Sequence, residues 1–286
     1  MPVQVTGEVV SVKRIGAYTA MTVTAPGIPE RTRPGHFLGV QVGGPESSML
    51  LRRAFALYDV QPRGVYGGTV QFVFAVHGNG TAWLAQRRPQ DRLDLVGPLG
   101  RPFRLPAHPV SATLVGGGYG SAPLLPLARV LRERGCKVSF VLGAASVDRL
   151  FGHLDAKRVA DTIAVTTDDG SLGQRGRVSD VLPAVMERTD CDVVYACGPM
   201  AMLRAVADQA TARGISSQVA VEESMACGIG VCMTCVLPVV GDDGLTRMVR
   251  SCVEGPVFAG DRVRWDDVGT VPPDTVGAIT APGAHR

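Results

Sequence analysis

Long hydrophobic runs are missing from this sequence: no stretch approaches the roughly 18 apolar residues that a membrane-spanning helix requires. The opening residues, "MPVQVTGEVV", carry neither a basic segment nor an apolar core, so no secretory leader is expected there. An excess of charge is missing too. Lys and Arg number 29 against 26 Asp and Glu, a net charge of +3, and that balance supports neither nucleic acid nor an anionic membrane as a partner. There is no internal repeat and no low-complexity tract. The five histidines, His36, His77, His108, His153 and His285, pair neither with one another nor with cysteine along the sequence, which leaves none of them as a metal-ligand candidate. What remains is a globular chain of 286 residues, long enough for about two or three domains, with the cytoplasm as its expected compartment.

Cysteine is sparse, seven residues in all, yet four of the seven gather in one region. "CGIGVCMTC" and "SCVEGP" contribute Cys227, Cys232, Cys235 and Cys252 in the pattern C-x4-C-x2-C-x16-C. This is the plant-type spacing of a [2Fe–2S] cluster. Gly228 and Gly230 let the backbone wrap tightly there, so its N–H groups can approach cluster sulfurs. A disulfide framework suits a small secreted chain instead. Structural zinc prefers a C-x2-C knuckle at each end, and only Cys232 and Cys235 form one, so zinc stands as the alternative. Cys136, Cys191 and Cys197 lie scattered among apolar residues, as reduced cysteines do.

The chain changes pattern twice. Residues 1–105 read as closely spaced short strands ("VQVTGEVVSVKRI", "YTAMTVTA", "HFLGVQV", "RRAFALYDV", "GTVQFVFAV", "RLDLVG"), the pattern of a β-barrel or sandwich. Residues 106–222 alternate apolar strands with amphipathic helices, the pattern of βαβ units around a doubly wound parallel sheet that is expected to end at "SQVAVEE". Residues 223–268 hold the cysteine module, and 269–286, rich in Pro, Gly and Ala, read as a flexible tail. The fold class expected is therefore mixed β and α/β.

Four further motifs bear on chemistry. "GGGYG", Gly116 to Gly120, joins a strand to a helix, where bare amides can hold a pyrophosphate, although it departs from G-x-G-x-x-G and also suits a plain tight turn. "CGPM" repeats that strand-to-helix placement, with Cys197, Gly198 and Pro199 able to line a nicotinamide slot or simply to end a strand. "TTDDGSLGQRG" is either a ribose loop or an ordinary connection. In the first segment, the arginines of "LLRRAFALYD" and the turn "HGNGTAWL" suit phosphates, and equally suit surface charge and a turn.

The order of these parts, together with "SMACGIGVCMTC", "SCVEGPVF", "DDGSLGQRG", "CGPMAML", "GPLGRPF" and "VGGGYGSAPL", resembles the ferredoxin-reductase superfamily, and within it the electron-transfer subunits of class 1B dihydroorotate dehydrogenase. The similarity runs from about residue 3 to about residue 265. It implies an FAD-binding barrel, an NAD-binding α/β domain and one [2Fe–2S] cluster. Cys227, Cys232, Cys235 and Cys252 would be the cluster ligands. Arg53, with Ala54, Phe55 and Ala56, would hold the FAD phosphates and flank the flavin. Val73, Phe74 and Ala75 match a second flavin-lining strand, and Gly80 and Thr81 match the pyrophosphate turn. Gly116, Gly117, Gly118 and Gly120 match the pyridine-nucleotide side, as do Cys197, Gly198 and Pro199, with Cys197 near the nicotinamide.

The resemblance further implies an FMN-containing catalytic subunit as partner, two copies of each chain, and electrons passing from dihydroorotate to NAD+ in pyrimidine biosynthesis. There is one departure. The family pattern Arg-Pro-x-Ser or Thr reads Arg53-Ala54-Phe55-Ala56 here, which removes a hydroxyl donor worth about 1 kcal/mol beside the flavin. Two other readings fit the modules: a flavin and iron–sulfur reductase serving an oxygenase or another redox partner, and a non-redox NAD-binding protein with structural zinc.

Overall fold

The computed structural model describes residues 1–44, 47–64 and 67–278. Its first part is a closed antiparallel barrel of six strands: β1 (Val3–Ile15), β2 (Tyr18–Thr24), β3 (Phe37–Val40), β4 (Arg53–Gln61), β5 (Thr69–Phe74) and β6 (Arg92–Leu99). They pair in the order β1-β2-β5-β4-β3-β6, and β6 returns to β1 to close the ring. Alternation builds it. In β6, Leu93 and Leu95 point inward two residues apart, as the two-residue period of a strand requires. Phe55, Phe72 and Phe74 fill the centre, with the Phe55 and Phe72 rings stacked at 4.9 Å and Phe74 5.5 Å from Phe55. Each such pair adds about 1 kcal/mol beyond its burial. A short helix, α1 (Asn79–Ala85), lies between β5 and β6.

The second part alternates β7 (Ser111–Gly117), α2 (Leu124–Glu133), β8 (Lys137–Ala144), α3 (His153–Val159), β9 (Thr162–Thr167), β10 (Gln174–Arg175), α4 (Val178–Arg188), β11 (Val193–Cys197), α5 (Met200–Thr211) and β12 (Ser216–Ala220). The strands run parallel in the order β10-β9-β8-β7-β11-β12. Helices α2 and α3 cover one face and α4 and α5 the other, each over its own apolar core, so the sheet is doubly wound as expected. Helix α2 shows how locally this is encoded. Leu124, Leu125, Leu127, Ala128 and Leu131 form its buried stripe, Pro123 precedes its first turn, and Gly135 at φ +78° stops it.

The third part is a hairpin, β13 (Val236–Val240) with β14 (Thr246–Arg250), followed by β15 (Val257–Ala259). The sheet does not end at "SQVAVEE": β15 pairs antiparallel with β12 and adds one more strand, which fastens the cysteine module to the sheet edge. Leu237 and Phe258 join the core on the α4–α5 face. The region read as a loose tail from residue 269 makes defined contacts over part of its length: Asp274 pairs with Arg264 at 2.6 Å, Thr275 is buried, and the Val276 N–H donates to Thr246 O. Residues 279–286 of that tail lie outside the described residues.

Two seams tie the parts together. Tyr18, Ala20 and Val73 of the barrel share a core with Leu114, Leu125 and Phe151, and the Tyr18 hydroxyl donates to Arg149 O at 2.7 Å. On the other side, Phe37 of β3 and Leu99 of β6 pack against Cys235 and Cys252.

Candidate functional site

A cleft of about 720 Å³ opens where the barrel, the carboxyl edge of the sheet and the C-terminal part meet. Ala54–Ala56 of β4 and the stretch Val73–Ala75 form its barrel wall. The Phe55 and Phe74 rings belong to the barrel core, so by strand alternation Ala54 and Ala56 turn the other way and present two small side chains. A flat, wide ring system fits such a wall.

Opposite stand Gly117–Gly120 after β7 and Cys197–Pro199 after β11. These strands are neighbours in the sheet although α2 leads from β7 toward β8 on the other side, so the cleft lies at the topological switch point. The two turns touch: a Cβ at Gly120 would lie 2.7 Å from Cys197 O, so only glycine allows this approach. "TTDDGSLGQRG" is more than a connection, because Thr166, Asp168 and Gly176 also line the cleft beside Gly143–Ala145. Burial, and then the nearby charge of Glu222, push the Cys197 thiol up to about 12, so it stays neutral.

Not every candidate faces the cleft. Gly116 does not; its missing side chain makes room for Ser121, whose Cβ would be 2.7 Å away. Arg53 and Gly80 stand beside the cleft and against each other, with a Cβ at Gly80 falling 2.8 Å from Arg53 Nε. Arg53 Nη1 donates to Leu51 O at 2.7 Å, and Thr81 Oγ1 accepts from the His77 and Gly78 N–H groups at 2.9 and 3.2 Å. A guanidinium over a glycine turn is a corner suited to phosphate oxygens.

The four cysteines form two pairs. Cys227 interacts with Cys232 side chain to side chain, Cys235 with Cys252, and Cys252 also feels Cys227. Desolvation raises the Cys227 thiol, but backbone donors from Ile229, Cys232 and Val231 outweigh it and bring it down to about 6. The Val231 N–H reaches Cys227 Sγ at 3.3 Å. Cys252 is pushed up to about 12 by burial and by Cys235. Two thiol pairs bridged at one side, with N–H groups aimed at sulfur, fit a two-iron cluster. Structural zinc prefers a C-x2-C knuckle at each end, and only Cys232 and Cys235 form one.

Sequence reasoning missed the wall between cleft and thiols. Phe37 lines the cleft and packs on Cys235 and Cys252, and Met225 does both as well. Across β3 and β4, Phe37 is the backbone partner of Ala56.

Residues 222–264 match the iron-sulfur cluster binding domain of dihydroorotate dehydrogenase B. Over 245 residues the chain is 39% identical to the "Dihydroorotate dehydrogenase B (NAD(+)), electron transfer subunit" of Bacillus caldolyticus, which spans 85% of this chain and 91% of that protein. The chain belongs to this family of electron transfer subunits. The Desulforamulus reducens dihydroorotate dehydrogenase B electron transfer subunit is 33% identical over 86% of this chain and 92% of its own. Among solved structures, a chain of an NADH-dependent reduced ferredoxin-NADP oxidoreductase, described for flavin-based electron bifurcation, superposes with a TM-score of 0.77 at 30% identity. That match covers 91% of this chain and 90% of the other. The family places an electron transfer subunit where the sequence resemblance did, and the fold agrees with it. No helix among the described residues is long and apolar enough to cross a membrane.

Proposed function

We propose that this chain passes electrons between a dihydroorotate dehydrogenase catalytic subunit and NAD+, using a [2Fe–2S] cluster and FAD. One observation carries the reading: the four-thiol site and the cleft share a wall, Phe37 and Met225, so a group held by the cysteines and a ring held on Ala54–Ala56 are neighbours. Bound FAD supplies the exchange between the single electrons of a cluster and the hydride of a nicotinamide.

In this reading Cys227, Cys232, Cys235 and Cys252 hold the iron. Arg53, with the Gly80–Thr81 turn, binds the flavin phosphates. Ala54, Phe55 and Ala56 form one flank of the flavin site and Val73, Phe74 and Ala75 the other. Gly117, Gly118 and Gly120, with Cys197, Gly198 and Pro199, hold the nicotinamide side, and Gly116 supports that turn from behind. The working units are 1–105, 106–222 and 223–268.

The partner is an FMN-containing catalytic subunit, two copies of each chain assembling together in the cytoplasm. Its docking face is the rim around exposed Cys232, where Ile229, Val231 and Met233 stand 55, 75 and 53% exposed. Apolar side chains this exposed beside a redox site suit an interface core.

Dihydroorotate-dependent reduction of NAD+, measured anaerobically on the chain with its co-purified partner, tests the reading; loaded material without that activity contradicts it. The 30% identity to the ferredoxin-NADP oxidoreductase chain favours a second reading, the same cofactors serving another redox partner. Activity with a different co-purified protein would select it.

A further inference from the structure

The sheet side of the cleft carries a hydrogen-bonded pair that nothing above uses. Tyr119, in the turn after β7, donates its hydroxyl to Glu222 Oε1 at 3.1 Å, and both side chains line the cleft. The Tyr119 ring lies 5.2 Å from the ring of Tyr18, a barrel residue, and packs on the core that also holds Val73 and Ala75 of the cleft's barrel wall. Ala56, on that wall, has no side-chain donor.

Of the other proton-bearing groups of the cleft, His77 stands at the Thr81 turn, where its backbone N–H donates to Thr81 Oγ1, and several more are already committed. The Tyr18 hydroxyl is spent on Arg149 O. Thr81 is spent on the His77–Gly78 turn. The Cys197 thiol is held neutral by burial and by Glu222. Asp168 lines the cleft together with Arg149 and Arg177, and Glu223, raised by burial, makes no hydrogen bond to a hydroxyl among the described residues.

The inference rests on the function proposed above. A nicotinamide gives or takes a hydride, whereas a cluster passes single electrons without a proton. Whenever two electrons come from the cluster side, one proton must therefore be added inside the cleft before a hydride can leave. We propose that Tyr119 relays this proton: the Glu222 carboxylate first takes up a proton from solvent, and the resulting carboxyl then donates to Tyr119 Oη as the Tyr119 hydroxyl, released from Glu222, passes its own proton toward flavin bound on Ala54–Ala56. Charge and atoms balance, because Tyr119 ends as a hydroxyl, Glu222 ends as a carboxylate, and solvent supplies the one proton consumed. Burial first, and then the Glu222 charge, raise the Tyr119 hydroxyl well above its ordinary value, so it works as a neutral relay and not as a stored acid.

The test compares two reductants on the FAD- and cluster-loaded chain under anaerobic conditions, following flavin absorbance. Reduced methyl viologen gives electrons only, whereas NADH brings its own hydrogen. Tyr119→Phe and Glu222→Gln are expected to slow reduction by viologen about a hundredfold. They should alter its solvent deuterium isotope effect while leaving reduction by NADH unchanged. Ala56→Ser, which restores a hydroxyl to the barrel wall, is expected to recover the viologen rate in the Tyr119→Phe background. Equal slowing with both reductants, or no slowing with either, overturns the relay. A wild-type chain that binds iron but holds no flavin contradicts the function reading itself, and the relay falls with it.

Discussion

The two cysteine pairs differ in almost every physical respect. Cys235 and Cys252 are 1 and 2% exposed and sit on Phe37 and Leu99 of the barrel. Cys232 is exposed, and the loop that carries it with Cys227 presents Ile229, Val231 and Met233 to solvent. The inner pair is part of a core, whereas the outer pair is held by backbone: Gly228, Gly230 and Met233 at φ +69°, +85° and +57° curl the chain so that its N–H groups reach Cys227. The difference teaches a direction. One side of the site touches the wall of the cleft and the other faces out, the layout expected of a relay between a group bound in the cleft and a docked partner.

Breaking the inner pair is expected to have the largest effect. Cys252→Ser should abolish iron binding and also weaken the fold by about 1–3 kcal/mol, because it buries a hydroxyl where a thiol packed. Cys232→Ser should abolish the cluster with little change in unfolding midpoint. Iron content and urea denaturation of the two variants check this, and equal destabilisation would erase the distinction between the pairs. On the outer side, Val231→Glu should leave iron and flavin content unchanged and weaken association with the catalytic subunit about a hundredfold, read by titration calorimetry.

The inner wall has a pH limit of its own. His36, next to Phe37, is 7% exposed and accepts the Arg33 N–H at Nδ1. Desolvation first, and then the Arg33 charge, lower it from 6.5 to about 4. The unfolded chain takes up that proton first, so stability is full above about 6.5 and falls as the pH drops toward 4. The loss is about 3 kcal/mol at most. Unfolding midpoints at pH 7 and pH 4.5 measure it, and the drop should shrink in His36→Asn. The smallest effect belongs to the cleft: Ala56→Ser adds one donor and should stabilise reduced against oxidised flavin by about 1 kcal/mol, seen as a shift in its midpoint potential.

Much of this was legible in the sequence because the signals are local. The x4 and x2 cysteine gaps specify a wrapped loop, and helix α2 announces itself by its leucine stripe and by Gly135. What was not legible depends on contacts between distant segments. Phe37 and Met225 are ordinary apolar residues until β3 meets the C-terminal part, and Tyr119 reads as one letter of a glycine turn until Glu222, 103 residues later, comes within 3.1 Å. Strand β15 is three residues long, too short for periodicity to reveal, and only its pairing with β12 makes it a strand. Gly116 shows the converse: it belongs to a ligand-like motif but is required by the packing of Ser121.

The central claim is that electrons cross from a docked catalytic subunit, over the cysteine site and the Phe37 wall, to NAD+ in the cleft. Its most direct test is the anaerobic rate of dihydroorotate-dependent NADH formation by the chain isolated with its partner, compared before and after that partner is stripped away. The account predicts steady NADH formation that vanishes with the partner and returns when it is added back. Chain that carries iron and flavin, oxidises NADH with an artificial acceptor, and yet forms no NADH from dihydroorotate with any co-purified protein would contradict it.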